Sequence, residues 1–185
     1  MRPKQPLPPE LLGEEVQKIG DILVDGTDLA VSLIASSFLD ECLRSLLMAC
    51  LRPGETSTAL LRSGTGVLGT YSARAALAYS LRLIDKHVHK ALRTIGEIRN
   101  AFAHSYGDAT FQHASIAPLC LQLDYAYELF VNKRSSRGDA QRIRAELDQF
   151  FVKHRNRFTY TCVTLGQTLI FAAREAREKR PTESD

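Results

Sequence analysis

The sequence has no tryptophan, no CxxC pair, and no apolar run near the roughly 18–20 residues that a membrane-spanning helix needs. Neither sign of charge dominates: 24 basic residues stand against 21 acidic, a formal net charge of +3. That imbalance is too small to mark a nucleic-acid binder by itself. Hydrophobic residues make up 44% and charged residues 24% of the 185 positions, which excludes a disordered chain and a collagen-like fibre. What remains is a globular chain of one-domain length.

Cysteines are few and far apart, at Cys42, Cys50, Cys120 and Cys162, each within an apolar pattern. On one helix Cys42 and Cys50 would lie about 12 Å apart, beyond disulfide reach. The four are therefore expected to be buried, reduced thiols of a cytoplasmic protein. The first ten residues are proline-rich and lack an apolar segment, so no signal peptide is expected.

What the chain does have is helical periodicity throughout. The pattern predicts an all-α, single-domain bundle of about five to seven helices: a flexible Pro-rich arm at 1–9, a helical domain at 10–180, and a tail at 181–185. A first amphipathic helix is expected over Glu10–Val24, with a break at Asp25-Gly26 and a cap at Thr27 or Asp28. Leu39, Cys42, Leu43, Leu46, Leu47 and Cys50 recur at steps of three and four, while Ser32, Ser36, Asp40 and Arg44 form another face. Pro53-Gly54 ends that helix. A short helix over Glu55–Arg62, a glycine loop at Ser63–Gly69, and helices over Tyr71–Ile84 and Asp85–His104 follow. Ser115–Val131 reads as helix interrupted near Pro118, and Asn132–Gly138 as a basic linker. A last helix from Ala140 to Glu178 would run about 58 Å if unbroken, so a break is expected near His154–Thr161. The β-branched stretch Thr159–Thr164 also has strand character but no partner run.

Charge is unevenly placed. Residues 1–60 carry nine acidic side chains against five basic, whereas 132–157 carry eight basic against three acidic. Lys133, Arg134, Arg137 and Arg142 in that second stretch are the candidates for contact with DNA or RNA phosphates; a solvated helix face is the alternative.

Catalytic signatures are scarce. The SGTGVLG loop lacks the GK[ST] ending of a P-loop and follows no strand, so it reads as a turn between helices. His87 and His89 point about 200° apart on a helix and cannot share a metal ion, and no HExxH or Cys/His cluster is present. No cofactor or metal is expected. The remaining candidate is Arg99-Asn100-Ala101-Phe102-Ala103-His104, which resembles the R-x4-6-H motif of HEPN-type domains, small helical bundles that include metal-independent ribonucleases. Arg99, Asn100 and His104 would then be catalytic: His104 can move a proton near neutral pH and Arg99 can stabilise a pentavalent phosphate. Five residues on a helix separate two side chains by about 140°, so the pair would meet at a frayed end or across a dimer. The alternative is that Arg99 and Asn100 tie the bundle together and His104 sits at a helix C-terminus, where a cation is favoured.

Three blocks occur in order: Ala35-Ser36-Ser37-Phe38-Leu39-Asp40-Glu41, then Gly66-Val67-Leu68-Gly69-Thr70-Tyr71-Ser72-Ala73-Arg74, then Glu97 to Ser105. Together they resemble the MtlR-type mannitol operon repressor family over about residues 29–105. The resemblance implies an all-α regulatory, non-enzymatic protein of transcriptional repression without a recognisable helix-turn-helix, so that DNA contact would be indirect or through a protein partner. Residues 106–180 carry no motif of that family.

Asp40 and Glu41 lie in an otherwise apolar helix, and Arg74 and Arg99 on two later ones. Buried carboxylates need partners, so these four are expected to form a cluster that fixes how three helices pack or lines a pocket. The long apolar stripe of the last helix predicts a homodimer.

Overall fold

The computed structural model describes residues 7–105, 109–134 and 140–179, with backbone only at 15–18, 21, 132–134, 140 and 143. Among them the elements are α1 (Pro9–Asp25), α2 (Asp28–Cys50), α3 (Glu55–Leu60), α4 (Tyr71–Ser80), α5 (Lys86–His104), α6 (Ala117–Leu121), α7 (Tyr125–Arg134), α8 (Ala140–Phe151) and α9 (His154–Glu178), and no strand. The fold is all-α.

Helix starts follow local chemistry. Thr27, Thr70 and Asp85 cap α2, α4 and α5, their side-chain oxygens accepting from Ala30 N (3.3 Å), Ala73 N (3.2 Å) and Val88 N (2.8 Å). α3 begins after Gly54, whose φ of 145° is open to glycine and strained for other residues.

The long helices α2 and α9 pack along each other at the centre. α1 lies against both, α4 and α5 cover another side of α2, and α6 and α7 lie on α9. Gly166 of α9 permits the close approach: a Cβ there would run into the ring of Phe38. Val31, Leu39, Leu43, Leu47, Ile95, Ile98, Phe158, Leu165 and Leu169 belong to the main core. A smaller cluster joins Ala126, Leu147 and Phe151 where α7 meets α8.

Several boundaries differ from the sequence reading. α4 stops at Ser80, because Arg82 adopts φ 58° and the chain closes with Arg82 N→Tyr79 O and Leu83 N→Ala78 O, both 2.9 Å. This is a Schellman cap with arginine where glycine is usual. α7 continues through Arg134, so Asn132–Arg134 are helix and not linker. The break between α8 and α9 falls at Val152–Lys153, just before the expected window. Side chains of α9's first turn take α8's last carbonyls, Asn156 Nδ2→Phe150 O (2.9 Å) and Arg157 Nε→Phe151 O (2.7 Å). Thr159–Thr164 is helical, with Thr161, Cys162 and Thr164 buried, and the Thr164 hydroxyl donates to Tyr160 O at 2.7 Å.

The stripe on α9 that suggested a dimer is largely covered within the chain: Phe158, Cys162, Leu165 and Leu169 are buried. Cys42, Cys120 and Cys162 are buried, but Cys50 is exposed, since α2 ends there. None of the four is in a disulfide. No helix among the described residues is long and apolar enough to cross a membrane.

Candidate functional site

The three sequence blocks converge on one surface. Ser36, Ser37 and Asp40 of α2, Ser63, Gly69 and Thr70 of the glycine loop, Tyr71 of α4 and Arg99 of α5 line a cavity of about 320 Å³. A neighbouring cavity of about 230 Å³ shares Thr70, Tyr71 and Arg99 and adds Arg93, Glu97 and Asn100. The loop between them is tightly wound. A Cβ at Gly66 would collide with Leu60 O, so the SGTGVLG segment is a compact turn that brings Thr70 to the start of α4.

Arg74 anchors this arrangement from below. Its side chain is 0% exposed; Nη1 donates to Asp40 Oδ1 (2.5 Å), and Nη2 to Leu61 O (3.0 Å) and Ser63 Oγ (3.3 Å). Arg74 Nε has no partner. The guanidinium thereby ties α2, the glycine loop and α4 together. Its carboxylate partner Asp40 is 28% exposed and faces the cavity. Ser36, buried beside it on α2, donates to Ser32 O at 2.6 Å.

Glu41 stands outside this cluster. Its Oε1 accepts from Leu7 N and its Oε2 pairs with Arg44 Nη1, both at 2.7 Å, which fastens the chain before α1 to α2. Arg99 is exposed and forms no ion pair or hydrogen bond among the described residues. Because Ile95, Ile98 and Phe102 take the core side of α5, the neighbouring Arg99 lies on its outer side, against Tyr71. The Tyr71 hydroxyl donates to Leu92 O (3.0 Å). Its pKa is driven well above the ordinary value by burial first, with Cys162 and Asp40 adding and Arg99 opposing.

α5 is regular through His104, so the arginine and histidine of the hexapeptide stay apart. Arg99 lines both cavities, Asn100 only the smaller, and His104 neither. All three are exposed while Phe102 between them is buried. His104 occupies the last turn of α5.

Of the basic stretch, two cations serve the fold. Arg155 donates to Asp28 Oδ1 (2.8 Å) and to the carbonyls of Leu23 (3.3 Å), Val24 (2.9 Å) and Gly26 (2.7 Å), closing the end of α1. Asp28 in turn accepts from Phe111 N at 2.9 Å. Arg157 binds carbonyls of Phe151 and Leu123. Neither is available to a phosphate backbone. Arg142 is exposed and pairs with Glu146 at 3.2 Å. Lys133 and Arg134 fall on the last residues of α7, where only the backbone is described, and Arg137 lies outside the described residues. Among the described residues no group of three or more His, Cys, Asp or Glu gathers to hold a metal ion.

No family model, no curated protein and no solved structure matches this chain.

Proposed function

We propose that the protein is a regulatory, non-enzymatic helical protein similar to the mannitol operon repressor family, taking part in transcriptional repression in the cytoplasm through a protein partner or indirect contact with DNA. The observation that carries this reading is the meeting of all three sequence blocks at one polar surface, with Asp40, Thr70, Tyr71 and Arg99 around a single cavity. Such a surface suits recognition. Among the described residues Arg99 and His104 do not share a cavity, Arg99 lining both and His104 neither, which favours recognition over the ribonuclease arrangement. Its homodimer would use the outer edge of α9, where Tyr160 and Phe171 are exposed.

A second reading, a metal-independent endoribonuclease using Arg99, Asn100 and His104, is favoured by one observation: Arg99 has no partner among the described residues. Side-by-side assays separate the two. The regulatory reading expects salt-dependent binding to operator DNA, or a stable protein complex, and no cleavage of RNA in EDTA. Cleavage lost in His104→Ala would establish the ribonuclease instead. If nucleic acid is held by Lys133, Arg134, Arg137 and Arg142, neutralising all four flattens the slope of log affinity against log salt by about one per lost contact; an unchanged slope assigns the contact to a protein partner.

A further inference from the structure

We infer, on the reading that this is the recognition surface, that its ligand is a small phosphomonoester whose phosphate is held by Arg99. The two cavities are lined by four charged groups, Asp40, Arg93, Glu97 and Arg99, and all but one are matched. Asp40 is neutralised by buried Arg74, and Arg93 pairs with Glu97 at 3.5 Å. Arg99, on the wall common to both, is the one lining charge without an opposite partner among the described residues. Counting Arg74 behind the wall, the larger cavity holds two guanidiniums to one carboxylate, an excess of one positive charge.

The neutral groups around Arg99 add donors. The Ser37 hydroxyl is exposed on the larger cavity and the Ser72 hydroxyl, 3.3 Å from Thr70 Oγ1, on the smaller, and the Tyr71 and Ser72 amides open α4, whose first turn carries no acidic residue. Thr70 is already engaged as the cap, and the Tyr71 hydroxyl is turned inward to Leu92 O, so the Tyr71 ring forms an apolar wall. A guanidinium already satisfies a two-oxygen carboxylate with two of its own donors, so the further hydroxyl and amide donors on these walls suit an oxyanion with more acceptor oxygens. At about 320 Å³ the larger cavity has room for the organic part of a small ester beyond the phosphate. Asp40, paired with Arg74 but 28% exposed on the same cavity, can accept from a hydroxyl of the organic part.

The test is a titration of the ¹⁵N-labelled full chain with inorganic phosphate and with glycerol phosphate at constant ionic strength and neutral pH. The amides of Gly69, Thr70, Tyr71 and Ser72 are expected to shift saturably, with glycerol phosphate the tighter ligand. Arg99→Gln, an exposed substitution, should weaken binding by about tenfold or more, while Arg177→Gln, an equal loss of charge at the far contact with Glu10, leaves it unchanged. Absence of saturable shifts, equal binding by Arg99→Gln, or acetate binding as well as phosphate would each overturn the inference. Partner or operator binding by the wild type is scored separately. Phosphate binding in a protein that binds neither would uphold this ligand and remove the regulatory reading, whereas partner binding without phosphate shifts would do the reverse.

Discussion

Removing the Asp40 carboxylate tests how the three blocks are held together. In Asp40→Ala the Arg74 guanidinium keeps Leu61 O and Ser63 Oγ on Nη2 and loses its only anionic partner among the described residues; Nε already has none there. Stranding a buried charge costs about 3–5 kcal/mol. Because Asp40 is itself 28% exposed, water reaches the pair, and the lower end, about 3 kcal/mol, is expected. For a chain of this length each kcal/mol moves the melting temperature by about 2–4 °C, so a fall of roughly 6–12 °C should follow. Arg74→Met is the informative comparison. It fills similar space and leaves a partly hydrated carboxylate behind, so its cost should be smaller, about 1–2 kcal/mol. The double variant should then cost less than the two singles combined. Denaturant unfolding of all four proteins reads these differences. A shift below about 2 °C for Asp40→Ala, or strict additivity in the double variant, would refute the role given to Arg74.

Three other outcomes follow from the same geometry. In the folded protein at pH 8 a small disulfide reagent should label Cys50 alone at speed, because burial pushes the Cys120 thiol up to about 12 and holds Cys42 and Cys162 well above the ordinary range; a second fast-reacting thiol would contradict this. Partial burial, with Arg93 adding, lowers the pKa of His89, whose ring stacks on Tyr79 at 4.6 Å. The folded state therefore favours the neutral ring, and this group's contribution declines as pH falls through about 6.5; His89→Phe, which retains a stacked ring, should flatten the dependence of melting temperature on pH between 7.5 and 5.5, and equal slopes would refute it. Arg82→Gly relieves a left-handed arginine at the α4 cap and should stabilise by about 0.5–1 kcal/mol; a lower melting temperature would show that the arginine side chain, not its backbone, matters there.

Most helices were legible because each carries its own period and punctuation. The cap at Thr27, the Pro53-Gly54 stop and the three- and four-residue steps from Leu39 to Cys50 all act within a few positions of themselves. Boundaries slipped where the signal was unusual or remote. A Schellman cap built on Arg82 has no glycine to announce it, and the α8–α9 break depends on Asn156 and Arg157 reaching back to Phe150 and Phe151. At the site, the need of Asp40 or Glu41 for a cation was readable from charges in an apolar helix. Which acid meets which arginine was not, because Arg74 and Asp40 are 34 positions apart and Glu41 finds Leu7 N and Arg44 instead. The basic stretch misled for the same reason: Arg155 meets Asp28 across 127 positions, and linear charge counting treats it as solvated.

Repression of a mannitol-operon reporter in cells carrying Arg99→Gln or His104→Ala decides between the proposed recognition surface around Arg99 and a ribonuclease centre. Derepression by Arg99→Gln and wild-type repression by His104→Ala are expected of a recognition surface. Repression intact in Arg99→Gln and lost in His104→Ala would contradict it.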